Sequence, residues 1–212
     1  ADGQACADCA TFAVPAESAM TADAVRFVLD GRLVEVRGPA PATTLLDWLR
    51  EHAGRCGTRE GCAEGDCGAC TVVLARRAGG RLRLRPVNAC LCLLPAVDGA
   101  ELITVESLRA PDGRLHPVQQ ALADAHGAQC GFCTPGFVMS LFAHYKSGMP
   151  TDSESLCDTL AGNLCRCTGY RPILEAGQTM GQGEVGAPDK FSILEADWIA
   201  KLKAMKRSEG LR

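Results

Sequence analysis

Cys62-Ala63-Glu64-Gly65-Asp66-Cys67-Gly68-Ala69-Cys70 crowds three cysteines into one short run, and a fourth follows at Cys90. The C-x4-C-x2-C spacing with a distant fourth cysteine is the plant-type ligation pattern of a [2Fe–2S] cluster. Three thiolates can converge from one tight loop only if the residues between them are small or free to take a left-handed backbone, and amide N–H groups must turn toward the sulfurs. Gly61, Ala63, Gly65, Gly68 and Ala69 supply that freedom. The competing reading is a structural zinc site, yet zinc sites usually pair one C-x2–4-C with a second.

A second cysteine set lies downstream as Cys130-Gly131-Phe132-Cys133 and Cys165-Arg166-Cys167. C-x2-C joined to C-x-C across about thirty residues satisfies the same four-sulfur logic, although four thiolates there would also suit zinc. A redox cluster already in the chain favours a second redox centre. Cys6-Ala7-Asp8-Cys9 forms a further C-x2-C, but it lacks a second pair or a βαβ context. Cys56, Cys92 and Cys157 read as small core residues, with Cys92 pointing away from Cys90 if that segment is extended.

The chain has 212 residues, of which 47% are hydrophobic, so a substantial core can be buried. A net charge of −3 argues against nucleic-acid binding. Thirteen cysteines, an odd number, with no secretory apolar segment near the start, argue against a disulfide scaffold. Metal binding in a reducing, cytoplasmic compartment is the expectation. No apolar run is long enough for a membrane span.

Residues 1–22 read as a tail. Alternating residues around Asp30-Gly31 predict a β-hairpin. Thr43 or Thr44 then caps a helix carrying Leu45, Leu46, Trp48 and Leu49, which Gly54 stops. A strand from Thr71 turns at Gly79-Gly80 into one from Arg81, and Leu102-Ile103-Thr104-Val105 makes the last. This order predicts an α+β chain whose first domain, 23–109, has the β-grasp layout of a plant-type [2Fe–2S] ferredoxin.

The Ala110-Pro111-Asp112-Gly113 cluster marks a boundary, after which helical patterns take over. Four short helices, after Pro117, after Thr134-Pro135, after Asp152 and over 172–176, predict a four-helix-bundle [2Fe–2S] domain at 110–176. Cysteines at those helix ends benefit from the partial positive charge of a helix N-terminus. Residues 177–190 read as linker, because the formal G-x-G-x-x-G from Gly181 to Gly186 has no strand before it. Residues 191–212 carry Phe191, Ile193, Leu194, Trp198, Ile199 and Leu202 at helical spacing, an amphipathic helix expected to need a partner surface. Trp48 and Trp198 read as packing residues, and His116 as a loop or cap residue.

The segments Gly61–Thr71, Asn88-Ala89-Cys90-Leu91, His116-Pro117-Val118-Gln119, Gln129–Gly136 and Gly162–Pro172 together resemble the iron–sulfur part of the molybdenum hydroxylase (xanthine dehydrogenase/xanthine oxidase) family. The Glu64-Gly65-Asp66 triplet and Leu94-Pro95 with Asp98-Gly99 look most like the small subunit of bacterial xanthine dehydrogenase. The resemblance implies one [2Fe–2S] cluster on Cys62, Cys67, Cys70 and Cys90, nearer a flavin. It implies a second on Cys130, Cys133, Cys165 and Cys167, nearer a molybdenum centre. It further implies that Gln129 and Cys167 contact molybdopterin, which with FAD would sit on partner chains in a hetero-oligomer. The expected role is one-electron transfer from the molybdopterin-binding large subunit toward an FAD-binding subunit or domain. A stand-alone two-cluster ferredoxin is the rival reading.

Overall fold

The structure is a computed structural model that describes residues 24–110, 112–181 and 190–205. Cys6, Cys9 and the G-x-G-x-x-G segment beyond Gly181 therefore lie outside the described residues.

Strands β1 (Ala24–Leu29) and β2 (Arg32–Arg37) pair antiparallel across Asp30 and Gly31, both at positive φ (53° and 73°) as a two-residue primed turn requires. Strands β3 (Thr71–Ala78) and β4 (Arg81–Asn88) repeat the device at Gly79-Gly80. Strand β5 (Glu101–Ile103) enters the middle of the sheet, parallel to β1 and antiparallel to β3, giving the order β2-β1-β5-β3-β4. β5 is shorter than the sequence predicts. Thr104 leaves the strand to cap a 3₁₀ turn over Val105–Leu108, its backbone N–H donating to the Ser107 hydroxyl at 3.1 Å.

One sheet face carries Val25, Phe27, Val72, Leu74 and Leu102 onto helix α1 (Leu45–Asp47), whose chain continues as a π-helical turn over Trp48–His52. Thr44 is the cap: its hydroxyl accepts from the Asp47 amide at 3.1 Å. The Ala53 amide reaches back to the Trp48 carbonyl at 3.0 Å, and Gly54 turns out of the helix at φ 65°. Trp48 packs edge-on against Phe27, ring centroids 5.1 Å apart, as a packing residue should.

The other face carries Val73, Ala75 and Ile103 onto α3 (Thr134–Ser147), whose Phe137, Met139, Leu141 and Phe142 are fully buried. Helices α2 (Pro117–Asp124), α4 (Ser153–Leu160) and α5 (Arg171–Thr179) surround α3. His116 caps α2, its Nδ1 accepting from the Val118 amide at 3.3 Å, and Asp152 caps α4. α5 outruns the sequence expectation. Gly177, read as the start of a linker, is helical and buried, and a Cβ there would press on Leu156 and Leu141.

Helix α6 (Lys190–Ala204) corrects another expectation. Its apolar stripe does not wait for a partner, because Phe191 (4% exposed), Trp198 (3%) and Leu202 (5%) are buried on this chain's own sheet and helices. Phe191 packs on His116 and Phe142, and Trp198 on Phe191. Only the far side, with Ile193 65% exposed, faces outward. Glu195 on α6 accepts the Leu82 amide of edge strand β4 at 3.2 Å, while Arg81, Arg83 and Arg85 on that strand stand exposed.

Cys56 and Cys157 are exposed rather than core residues. Cys92 sits in a turn, not an extended segment, since both Leu91 and Cys92 amides donate to the Asn88 carbonyl at 3.1 Å. Its sulfur lies 3.8 Å from the Leu93 carbonyl oxygen.

Candidate metal centres

The loop from Gly61 to Cys70 is shaped by backbone that few residues tolerate. Ala63, Gly65 and Gly68 adopt positive φ of 57°, 86° and 66°. Gly61 is small for a different reason: a Cβ there would fall 2.8 Å from the Cys67 sulfur. The Asn88 side chain pins the loop by donating to the Gly65 carbonyl at 2.7 Å. These constraints turn the Glu64 and Cys67 amides onto the Cys62 sulfur, at 3.5 and 3.4 Å. Such donors hold the Cys62 thiol down at about 7, well below an ordinary cysteine.

The sulfurs stand in twos. Cys70 and Cys90 are buried with sulfurs 3.4 Å apart, while Cys62 and Cys67 form the other, more open, contact. Burial pushes the Cys70 thiol up to about 12.

The second set repeats the pattern. Cys130 and Cys167 are exposed, with sulfurs 3.6 Å apart, and Cys133 meets Cys165. Cys133 occupies the cap position of α3, and burial pushes its thiol up to about 12. At Cys165 burial acts in the same direction, but the Thr168 hydroxyl (3.2 Å) and amide (3.5 Å) outweigh it and bring the thiol to about 7. Tyr170, in left-handed conformation, receives the Cys165 amide on its hydroxyl at 2.9 Å.

The candidate sulfurs thus stand in pairs, Cys70 with Cys90 and Cys62 with Cys67 in the first set, Cys130 with Cys167 and Cys133 with Cys165 in the second. A mononuclear structural site would draw all four thiolates of a set onto one ion. A dinuclear cluster instead asks for two thiolates on each iron, which two-plus-two pairing meets. Thr134, directly after Cys133, keeps a buried hydroxyl with no protein partner, a spare donor beside the second set. The residues fit [2Fe–2S] groups on both counts.

Gln129 is exposed, as are its neighbour Cys130 and Cys167. Sequence reasoning assigned no role to Asn88, Asn163 or Thr168, although each stands inside a motif segment. Their spacing relative to the cysteines was the available signal.

The chain matches a 2Fe-2S iron-sulfur cluster binding domain over residues 27–95 and a [2Fe-2S] binding domain over residues 104–178. It is 50% identical over 155 residues to xanthine dehydrogenase of Drosophila pseudoobscura pseudoobscura, and 50% identical over 155 residues to aldehyde oxidase 1 of Cavia porcellus. In each case the match covers 72% of this chain and 12% of the relative, so the chain spans only a small part of those proteins. Equal identity to both shows kinship with the group rather than with one member. Among solved structures, aldehyde oxidoreductase from Desulfovibrio gigas matches with a TM-score of 0.64 and 34% identity, over 74% of this chain and 16% of that one. Quinoline 2-oxidoreductase from Pseudomonas putida 86 matches with a TM-score of 0.62 and 30% identity, over 76% of this chain and 98% of that one. With both cluster-binding domains in order and a solved relative matched along nearly its whole chain, this protein belongs to the molybdenum hydroxylase family, as its two-domain iron–sulfur part.

Proposed function

We propose that Cys62, Cys67, Cys70 and Cys90 hold one [2Fe–2S] cluster and Cys130, Cys133, Cys165 and Cys167 hold the other, and that the chain carries single electrons from molybdopterin on a large partner subunit to FAD on another subunit or domain. The observation that carries this reading is the two-plus-two grouping of sulfurs in both sets. When bound, each cluster takes up and returns one electron with little movement of its ligands.

The chain's own residues set direction and address. Amides on Cys62 and the Thr168 hydroxyl on Cys165 favour the anionic sulfur, while burial at Cys70 and Cys133 opposes added negative charge. Each set therefore has a shielded side and an open side. The open side of the second set, with exposed Gln129, Cys130 and Cys167, is where we place the molybdopterin contact. A glutamine amide offers both donor and acceptor to a pterin ring edge. Substrate hydroxylation would occur on the large subunit, within a hetero-oligomer.

No described helix is long and apolar enough to cross a membrane. A reducing, cytoplasmic setting is part of the same proposal, since thiolates committed to metal are kept reduced there.

Metal analysis of the native complex tests the reading. It predicts about four irons per chain, two for each [2Fe–2S] unit, together with co-purifying molybdenum and flavin. One zinc per sulfur set would overturn it; a self-sufficient monomer reducing many acceptors would favour the free carrier.

A further inference from the structure

Asn163 stands two residues before Cys165, in the connection between α4 and α5, and is 4% exposed. Its amide nitrogen donates to the Gly68 carbonyl at 3.0 Å and lies 3.4 Å from the Thr71 hydroxyl. Its amide oxygen accepts from the Ser140 hydroxyl at 2.6 Å. Gly68 belongs to the loop between Cys67 and Cys70, Thr71 follows Cys70, and Ser140 lies on the helix that Cys133 caps. One buried amide thus grips the segments that carry both sulfur sets.

The neighbouring residue completes the connection. Leu164 donates its backbone N–H to the Cys67 carbonyl at 3.0 Å. From Cys67 in one set, a single hydrogen bond and one residue of chain lead to Cys165 in the other. Across the same seam a Cβ on Gly68 would overlap the Gly162 carbonyl, and one on Gly61 would lie 3.5 Å from the Phe132 ring.

We propose that Asn163 is a positioning residue that fixes the electronic contact between the two sulfur sets by holding Leu164 on Cys67. The inference rests on the electron-carrier reading and adds to it the device that sets the rate between sites. Transfer between weakly coupled centres falls steeply with separation, and a bonded route carries more coupling than an open gap. An asparagine suits the place because it donates at one end and accepts at the other. Alanine would leave a buried carbonyl and a buried hydroxyl without that partner, and the Asn163 loop would shift to find water.

The test uses the iron-loaded full chain with Asn163→Ala and Ser140→Ala. Three quantities are read: iron content, the magnetic splitting between the two reduced sites, and the rate at which an electron delivered by flash reduction equilibrates between them. Asn163→Ala should keep its iron, show a smaller splitting, and equilibrate severalfold more slowly. Ser140→Ala should move both in the same direction by less. Full iron with splitting and rate unchanged overturns the proposal, even if the melting temperature falls, since a merely structural role would do only that. If Asn163→Ala loses iron, the same two readouts on Ser140→Ala decide. A wild-type chain with one ion per set would sink the electron-carrier reading instead, so the two failures are distinguishable.

Discussion

Gly136, in the first turn of α3, lies so close to the Gly68 carbonyl oxygen that a Cβ on Gly136 would overlap it. Gly68 is itself at φ 66°, where a side chain is strained whatever the space. The two glycines therefore form one contact between the first cysteine loop and the helix that begins at the second. Gly68→Ala should cost at least about 2 kcal/mol, the range of forced backbone and overpacking changes. Gly136→Ala should cost a similar amount, and the double variant less than the sum, because both open the same seam. Thermal melts of the three proteins check this.

Cys67→Ser should abolish one of two paramagnetic signals seen after reduction, and Cys133→Ser the other. Each sulfur set has its own loop supports, Asn88 for the first and Thr168 with Tyr170 for the second. Loss of both signals from either change would count against separate centres.

Gln129→Ala should slow electron delivery from the molybdenum-bearing partner without removing iron, because the side chain is exposed beside Cys130 and is not among the candidate ligands. Rapid-mixing kinetics of the complex, with iron content as the control, provide the measurement. An unchanged rate would separate Gln129 from the cofactor.

Trp198→Ala should cost about 3–5 kcal/mol, as large aromatic truncations in cores do. At roughly 2–4 °C per kcal/mol for a chain of this size, the melting temperature should fall by around 10 °C. Ile193→Ala, on the exposed side of α6, should stay within about 0.5 kcal/mol. Equal effects would mean that α6 is not docked through its Phe191–Trp198 face.

Glu101 is 1% exposed in the central strand, with one carboxylate oxygen accepting from the Gly31 amide at 3.4 Å and the other without a partner. Burial pushes its carboxyl up to about 8; Asp30 and Asp197 add to this, and the Gly31 amide and Lys201 oppose it. The folded state therefore holds a proton that the unfolded state releases near its ordinary value of 4.5. Stability contributed by this group is full below that value, declines as pH rises toward about 8, and is flat above, a loss on the order of a few kcal/mol. Glu101→Gln should flatten the decline, so the two proteins' denaturation midpoints should diverge progressively from acid to mildly alkaline pH.

How much of this was legible in the sequence depended on how local the cause was. Asp30-Gly31 and Gly79-Gly80 each act within a few residues, and each turn landed where expected. Thr104 ended β5 early because its turn competes with the strand, a choice that alternation alone does not reveal. Gly177 read as a break, yet its missing side chain is what lets α5 approach Leu156 and Leu141. The docking of α6 depended on a surface assembled from β1, β3, β4, His116 and Phe142, segments far away in the chain. Asn163 was hidden for the same reason, since its partners lie 23 and 95 positions away.

The rim of the sheet has its own consequence. Were two copies to approach along β4, Arg81, Arg83 and Arg85 of one would confront those of the other, and Glu195 already occupies the Leu82 amide that a foreign strand would seek. Guanidinium repulsion and a blocked donor deter strand-to-strand stacking. The folded chain therefore offers a poor template for a second sheet along β4.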